Sequence, residues 1–171
     1  MKLFALVFIS LIALAGCAQQ ITLTNQFNEA EARKGLQPGK NAIKGSALIK
    51  QNNGGTVTCA GNGVRLIPVT AYSSERIFAY YKNTERGFYR MMFAPTGSPF
   101  ANDNPAYYQA TKESTCDAQG FFKFDGLADG DFYITTIVRW SPGGGYTYEG
   151  GSLMRRVSLK GGETKEIVLA P

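Results

Sequence analysis

The stretch from Asp117 to Trp140 constrains the fold of this 171-residue chain more than any other part of it. It begins with Asp-Ala-Gln-Gly, the residue types of a tight turn, and continues with Phe122 and Phe124 on one face of a short strand. A second run of turn residues leads into a segment in which every second side chain is apolar or Thr. This period of two, interrupted by turns, predicts consecutive antiparallel strands with one buried face.

The chain from residue 41 onwards continues this pattern. Twenty glycines and many aromatic residues fit short strands joined by tight turns. About seven strands are expected, which favours an all-β sandwich; they lie at 42–49, 64–69, 87–93, 120–124, 131–140, 146–157 and 164–169. The segment 70–115 interrupts them, because a serine cap and helical apolar spacing predict a short helix over 73–82, followed by the extra strand at 87–93.

Three motifs together carry a family resemblance. They are Ile43-x-Gly-x-Ala, then Gly63-Val-x-Leu-x-Pro, then Asp117-x-x-Gly-x-Phe-x-Phe-x-Gly-Leu-x-x-Gly130-x-Phe. In this order they resemble the carboxypeptidase-regulatory-like domains, which implies a prealbumin-like (transthyretin-like) antiparallel sandwich over 41–171 with an insertion at 70–115. The resemblance implies a structural module without a peptidase zinc site. We therefore expect that the chain is not an enzyme and that it binds no metal and no cofactor.

The first 17 residues resemble the signal and lipobox of bacterial lipoproteins. One cation, Lys2, precedes an apolar run too short to span a bilayer, and the run ends on Leu-Ala-Gly-Cys17. The resemblance implies a signal peptide at 1–16, acyl chains on Cys17 and a tether over 17–40 leading to the domain. Within this tether, Asn28 would cap a helix of one or two turns that Gly35 would end. Ala18 favours sorting to the outer membrane, with the domain facing the periplasm. An ordinary secretory signal with an incidental cysteine is the alternative.

Composition excludes several classes of function. Histidine is absent, which removes Ser-His-Asp and Cys-His catalysis and His-ligated zinc. The formal net charge is +5, but the cations are scattered, so nucleic acid is not an expected partner. Cys59 and Cys116 are the two cysteines left after Cys17, and in an oxidising compartment they are expected to form a disulfide. Four aspartates between Asp117 and Asp131 occupy turn positions and match no calcium-binding loop.

Two candidate binding surfaces follow from the aromatic residues. The insertion is rich in Tyr and Arg, which are common in protein interfaces, and its candidate partner-binding residues are Tyr72, Arg76, Tyr80, Tyr81, Tyr89 and Arg90. The alternative reading, that this helix and strand cover one face of the sandwich, stays open. A second candidate, for carbohydrate or peptidoglycan, is an aromatic rim of Trp140, Tyr146 and Tyr148, although Trp140 is also placed to cap the core. The sequence thus favours a non-catalytic protein-binding or envelope-assembly module, with glycan binding as the alternative.

Overall fold

The computed structural model describes residues 20–92, 97–144 and 147–171, so Cys17 and Tyr146 lie outside the described residues. Within these ranges the chain forms nine strands and three α-helices, against about seven strands expected. The two additional strands are short ones, Thr56–Thr58 and Lys112–Thr115. In chain order the elements are α1 (Glu29–Gly35), β1 (Pro38–Lys50), β2 (Thr56–Thr58), β3 (Gly63–Pro68), α2 (Ala71–Tyr81), β4 (Arg86–Arg90), α3 (Ala106–Gln109), β5 (Lys112–Thr115), β6 (Phe121–Leu127), β7 (Gly130–Trp140), β8 (Glu149–Leu159) and β9 (Thr164–Leu169).

The strands form two sheets that pack face to face, which confirms the sandwich. In the four-stranded sheet, β1 pairs antiparallel with β2 and β6 and parallel with β9. The other sheet has five antiparallel strands in the order β4-β8-β7-β3-β5. The main core lies between the sheets, where Phe122, Phe124 and the inward residues of β7 are buried as the alternation predicts.

The turn that precedes β6 is built as the sequence indicates. The Asp117 carboxylate accepts hydrogen bonds from the backbone N–H groups of Gln119 and Phe121, at 2.9 and 2.8 Å. Gly120 has φ +87°, and a Cβ there would lie 2.5 Å from the Cβ of Thr58. A side chain at this position would therefore be strained by the backbone and also blocked by its neighbour. Asp117 acts as a turn residue.

The disulfide between Cys59 and Cys116 is present, as predicted. Both cysteines are buried in the main core. The bond joins the segment between β2 and β3 to the segment between β5 and β6, so it links the first half of the chain to the second across the insertion. In the loop-entropy model such a crosslink restricts the unfolded chain by about 4 kcal/mol.

The five-stranded sheet is buried on both faces, and its second face carries a second core. Along β7, Ile134 points into the main core while its neighbour Tyr133 packs in a second cluster. On β8, Leu153 likewise points into the main core and Met154 packs in the second cluster. The second cluster is completed by residues of α2, α3 and the segments 20–27 and 97–105. The insertion therefore forms a layer on the outer face of this sheet.

Residues 20–40 are not a free tether over the part that the structure describes. Asn28 caps α1 by accepting from the N–H of Glu31 at 3.1 Å, and the helix ends at Gly35, as the sequence predicts. However, Leu23 is buried in the second core and Phe27 packs against it, and β1 begins at Pro38 rather than near residue 41. Single apolar residues in a polar segment are enough to dock it on the domain.

Candidate functional site: a tyrosine-lined groove

An open groove runs between the outer face of the five-stranded sheet and the layer formed by the insertion. Its volume is about 1360 Å³, which is ample for a ligand of several rings. Thr135, Ile137 and Ser152 of β7 and β8 contribute to its floor. We call it the tyrosine groove because its described lining includes Tyr80, Tyr81, Tyr89, Tyr107 and Tyr108.

Helix α2 places Tyr80 and Tyr81 in the groove. The helix begins one turn earlier than predicted, because Thr70 is its cap and Ser73 lies inside the helix as the reciprocal partner of that cap. At its other end, Gly87 of β4 lets the helix approach, since a Cβ on Gly87 would lie 2.6 Å from the Cβ of Tyr81. The end of the helix is thus fixed against the edge strand of the sheet.

The two tyrosines at the end of α2 make different contacts. The hydroxyl of Tyr81 forms a 2.6 Å hydrogen bond with the Ser152 hydroxyl on the groove floor, and burial raises the pKa of Tyr81 to about 12. The Tyr80 ring packs edge-to-face against Tyr89, with 5.4 Å between ring centroids, and against Phe100 at 5.5 Å. Both Tyr80 and Tyr89 line the groove, so each adds an aromatic ring and a hydroxyl group to its lining.

Arg76 forms the centre of the layer and is buried with a full charge. Its guanidinium lies over the rings of Phe100 and Tyr107, each centroid at 4.3 Å, and is ion-paired with Asp103. It also donates to the Tyr108 hydroxyl at 2.8 Å. Burial disfavours the charge, but the hydrogen bond to Asp103 and the neighbouring groups outweigh it and hold the pKa of Arg76 above its ordinary value.

Asp103 accepts hydrogen bonds from two hydroxyl groups in addition to its ion pair with Arg76. Its second carboxylate oxygen accepts from the hydroxyls of Ser98 and Tyr108, at 2.5 and 2.8 Å. Burial alone would raise the pKa of Asp103, but the hydrogen bonds from Ser98, Arg76 and Tyr108 lower it below its ordinary value. This network ties the segment 97–109 to α2, so it sets the width of the groove.

The predicted partner-binding residues fall into three groups in the structure: buried, half-buried and exposed. Tyr72 and Arg76 are only 3% and 4% exposed, so their side chains support the layer from within and offer no outer surface. Tyr80 and Tyr81 are half-buried and face the groove, while Tyr89 and Arg90 are exposed on β4. The helical spacing of the buried residues was the available signal, because positions 72, 73, 76, 77 and 80 share one face of α2.

The two described residues of the predicted aromatic rim are both partly covered. Trp140 is half-buried and packs against the main core. The ring of Tyr148 is covered on one side by the Arg139 guanidinium, 4.5 Å from the ring centroid. Tyr146, the third member, lies outside the described residues. Sequence reasoning missed the groove floor, although the period-two pattern of β7 already places Thr135 and Ile137 on the face opposite the main core.

The charged groups at the groove are arranged in pairs. Arg65 and Glu113 form an ion pair between β3 and β5, and the Arg65 guanidinium lies 5.6 Å from the centroid of the Tyr108 ring. Asp103 is paired with Arg76, as described above. Within residues 20–92, 97–144 and 147–171, no three His, Cys, Asp or Glu side chains are grouped as metal ligands. The groove therefore presents aromatic faces, hydroxyls and neutralised charges.

The N-terminal segment forms part of the groove wall. Gln20 lines the groove, and the next residue, Ile21, bridges to Phe100 through backbone hydrogen bonds of 2.8 Å to Pro99 and 2.9 Å from Ala101. The Asn102 side chain then exchanges two 2.9 Å hydrogen bonds with the backbone of Leu23.

Glu75 on α2 holds the next part of this segment. Its carboxylate accepts from the backbone N–H groups of Thr24 and Asn25 at 2.7 and 2.8 Å. These bonds lower the pKa of Glu75 to about 2. The segment 20–25 is thus attached to the two structures, α2 and the 97–105 segment, that form the groove wall.

Comparison with known proteins gives one informative likeness. No protein-family model matches the chain, and no curated protein matches it significantly. Among solved structures, the chain is similar to a Pseudomonas aeruginosa protein proposed to bind carbohydrate, with 25% sequence identity and a TM-score of 0.69. The match covers 86% of this chain and 99% of that one. The minor pilin of Streptococcus agalactiae matches with 12% identity and a TM-score of 0.34, over 79% of this chain and 44% of the pilin, which is too low to define a shared fold.

The protein is therefore a β-sandwich with an aromatic-lined groove on one outer face. Within the described ranges, no helix combines the length and the apolar character that crossing a bilayer would require.

Proposed function

We propose that this chain is a non-catalytic, lipid-anchored envelope protein that binds carbohydrate in the tyrosine groove. The observation that carries the proposal is the groove itself, whose described lining includes five tyrosines. The Pseudomonas aeruginosa protein supports it, since a protein proposed to bind carbohydrate is similar to this chain over nearly its whole length. The anchor is the part of the proposal that rests on the lipobox-like sequence ending at Cys17, as does its place in the outer membrane.

The groove has the two kinds of surface that a sugar ring needs. Aromatic rings provide flat apolar faces for the C–H side of a pyranose, and they lose little conformational entropy on binding. Tyr80, Tyr89 and Thr135 also add hydroxyl groups to the lining, which provide hydrogen-bonding groups for sugar hydroxyls. Because the arginines are already paired with carboxylates, this lining favours a neutral sugar over a strongly anionic one.

This proposal moves the carbohydrate site away from the rim predicted from sequence. Trp140 packs against the core, and Tyr148 has one face covered by Arg139. By contrast, Tyr89 is 41% exposed and faces open space beside Tyr80. The groove therefore offers a free aromatic face for stacking that neither Trp140 nor Tyr148 offers in the same measure.

The test is a screen of the purified protein against an array of neutral and anionic bacterial polysaccharides and soluble peptidoglycan fragments. Binding of the best neutral glycan is then measured by calorimetry for Tyr89→Ala and Thr135→Val. We expect a loss of about tenfold for each, since one stacking face or one hydrogen bond contributes about 1–1.5 kcal/mol. Phe121→Ala is the matched control, because Phe121 is an exposed aromatic residue on the other sheet.

Two results would contradict this site. One is the absence of any bound glycan on the array. The other is loss of binding in Trp140→Phe with full binding retained in Tyr89→Ala, which would return the site to the rim. Circular dichroism of each variant separates a lost contact from a lost fold.

A protein partner is the second candidate function, and the edge strand β4 is the observation that favours it. This strand ends the five-stranded sheet and exposes Phe88, Tyr89 and Arg90. An exposed strand edge can accept a further strand from a partner. Phe88→Ser tests this function separately, because Phe88 lies on the opposite face of β4 from Tyr89. Crosslinked partners in intact cells that disappear in Phe88→Ser, with glycan binding unchanged, would support a protein-binding role.

A further inference from the structure

We propose that the sugar taken by the tyrosine groove is the headgroup of a membrane glycolipid, presented by the same membrane that holds the anchor. This inference rests on the proposed function, and it specifies the source of the sugar. It is carried by one juxtaposition: the segment that begins at Gln20, three residues after Cys17, forms part of the groove wall.

The distance between anchor and groove is short and fixed at one end. Gln20 lines the groove, and the segment that it begins is held by Phe100, Asn102 and Glu75. Only three residue steps separate Gln20 from Cys17. A fully extended chain gains at most about 3.6 Å per residue, so three residue steps allow at most about 11 Å between Gln20 and an acylated residue at 17. A groove wall within that reach of the anchor is placed to meet lipid headgroups.

The groove edge near this segment has the character of a membrane-facing surface. Ile21, which bridges to Phe100, is 39% exposed, and the exposed Tyr89 is connected to Phe100 through the Tyr80 ring. Tyrosine rings prefer the boundary between apolar and aqueous regions. Arg90 adds a cation at the end of β4, which suits anionic lipid headgroups.

These features distinguish a glycolipid from a free polysaccharide. A groove held within about 11 Å of its anchor meets sugars attached to lipid at a high local concentration. A polymer farther from the membrane would be reached better by a domain on a long tether. Here the tether ends at Gln20, because the residues that follow are docked on the domain.

The experiment uses the full-length lipidated protein in vesicles of phosphatidylethanolamine and phosphatidylglycerol, with or without a minor fraction of a digalactosyl lipid. Met91, which lines the groove, is replaced by p-benzoylphenylalanine, and photocrosslinking to the glycolipid is measured. Twelve Gly-Ser residues are then inserted after Ala18, which lengthens the connection from three residues to fifteen. Effective concentration falls with about the −3/2 power of linker length, so we expect about tenfold less crosslinking. The same insertion between Asn53 and Gly54, an exposed turn, is the matched control and should change nothing.

A solution measurement separates this inference from the function on which it rests. The Cys17→Ser chain, which carries no lipid, is titrated with the free digalactosyl headgroup and with the neutral glycans of the array. Binding of those glycans in solution, with crosslinking that does not respond to the insertion after Ala18, would overturn the membrane-presented ligand and leave carbohydrate binding standing. No binding of any sugar in solution and no crosslinking would overturn both. Equal crosslinking in vesicles without glycolipid would identify the phospholipid itself as the occupant.

Discussion

The ion pair between Arg76 and Asp103 gives the sharpest quantitative prediction. Arg76→Met removes the charge but keeps an apolar side chain of similar length between the rings of Phe100 and Tyr107. Removing one partner of a buried pair leaves the other charge uncompensated, at a cost of about 3–5 kcal/mol. Asp103 keeps its hydrogen bonds from Ser98 and Tyr108, so we expect a loss near the lower end, about 3 kcal/mol in the free energy of unfolding.

The double variant Arg76→Met/Asp103→Leu tests the reason for that loss. When both charges are replaced by apolar groups, no uncompensated charge remains, and we expect stability to return to within about 2 kcal/mol of the unmodified protein. Urea unfolding of the Cys17→Ser chain, followed by circular dichroism, measures all four members of the cycle. A cost below about 1 kcal/mol for Arg76→Met, or a double variant no more stable than the single one, would refute this account of the network.

The stability of the unmodified protein and that of Arg76→Met should depend differently on pH. In the unmodified protein the pKa of Asp103 is lowered, so the stability it contributes is present at neutral pH and is lost as the pH falls through that pKa. In Arg76→Met the carboxylate loses its cation but keeps the hydrogen bonds from Ser98 and Tyr108, so its pKa is expected to be higher than in the unmodified protein and less stability is lost in acid. The loss in free energy of unfolding caused by Arg76→Met should therefore become smaller as the pH falls. A cost that grows as the pH falls would contradict the assignment.

Two further predictions concern the disulfide and the hydrogen bonds that hold residues 20–25 on the domain. Cys59→Ala/Cys116→Ala should lower the free energy of unfolding by about 4 kcal/mol, measured in urea against the oxidised protein, and an unchanged value would mean that the crosslink does not restrict the unfolded chain. The lowered pKa of Glu75, about 2, predicts that its hold on residues 20–25 is complete above pH 4.5 and is lost as the pH falls towards 2. Glu75→Gln should therefore speed hydrogen exchange of the backbone amides of residues 24 and 25 at neutral pH. Protection equal to that of the unmodified protein would argue against a role of Glu75 in holding this segment.

The fold could be predicted from sequence wherever a local pattern carries the information. The turn at Asp117, the alternation in β7 and the cap at Asn28 depend on neighbouring residues, and the structure confirms them. The disulfide was predictable because only two cysteines remained after Cys17.

The site was harder to predict because it depends on contacts between distant residues. The spacing of α2 shows that Arg76 shares a face with Ile77, but nothing local indicates that Asp103 compensates its charge. Asn41 is another example: its buried side chain bonds to Leu127 and Asp129, and to the backbone of 162 and 163. In the sequence it looks like any polar residue near a strand. Long-range polar partners leave no periodic signal.

The parallel pairing of β1 with β9 has a consequence for the order in which this protein can fold. Ala42 lies opposite Thr164 in this pair, so this side of β1 lacks its β9 partner until β9 has been made. A chain without β9 would present an unpaired edge beside the main core. The domain is therefore expected to close only after β9 has been synthesised, which would favour a chain that is kept unfolded while it is moved across a membrane. Deleting β9 should expose this edge and increase association between copies through β1.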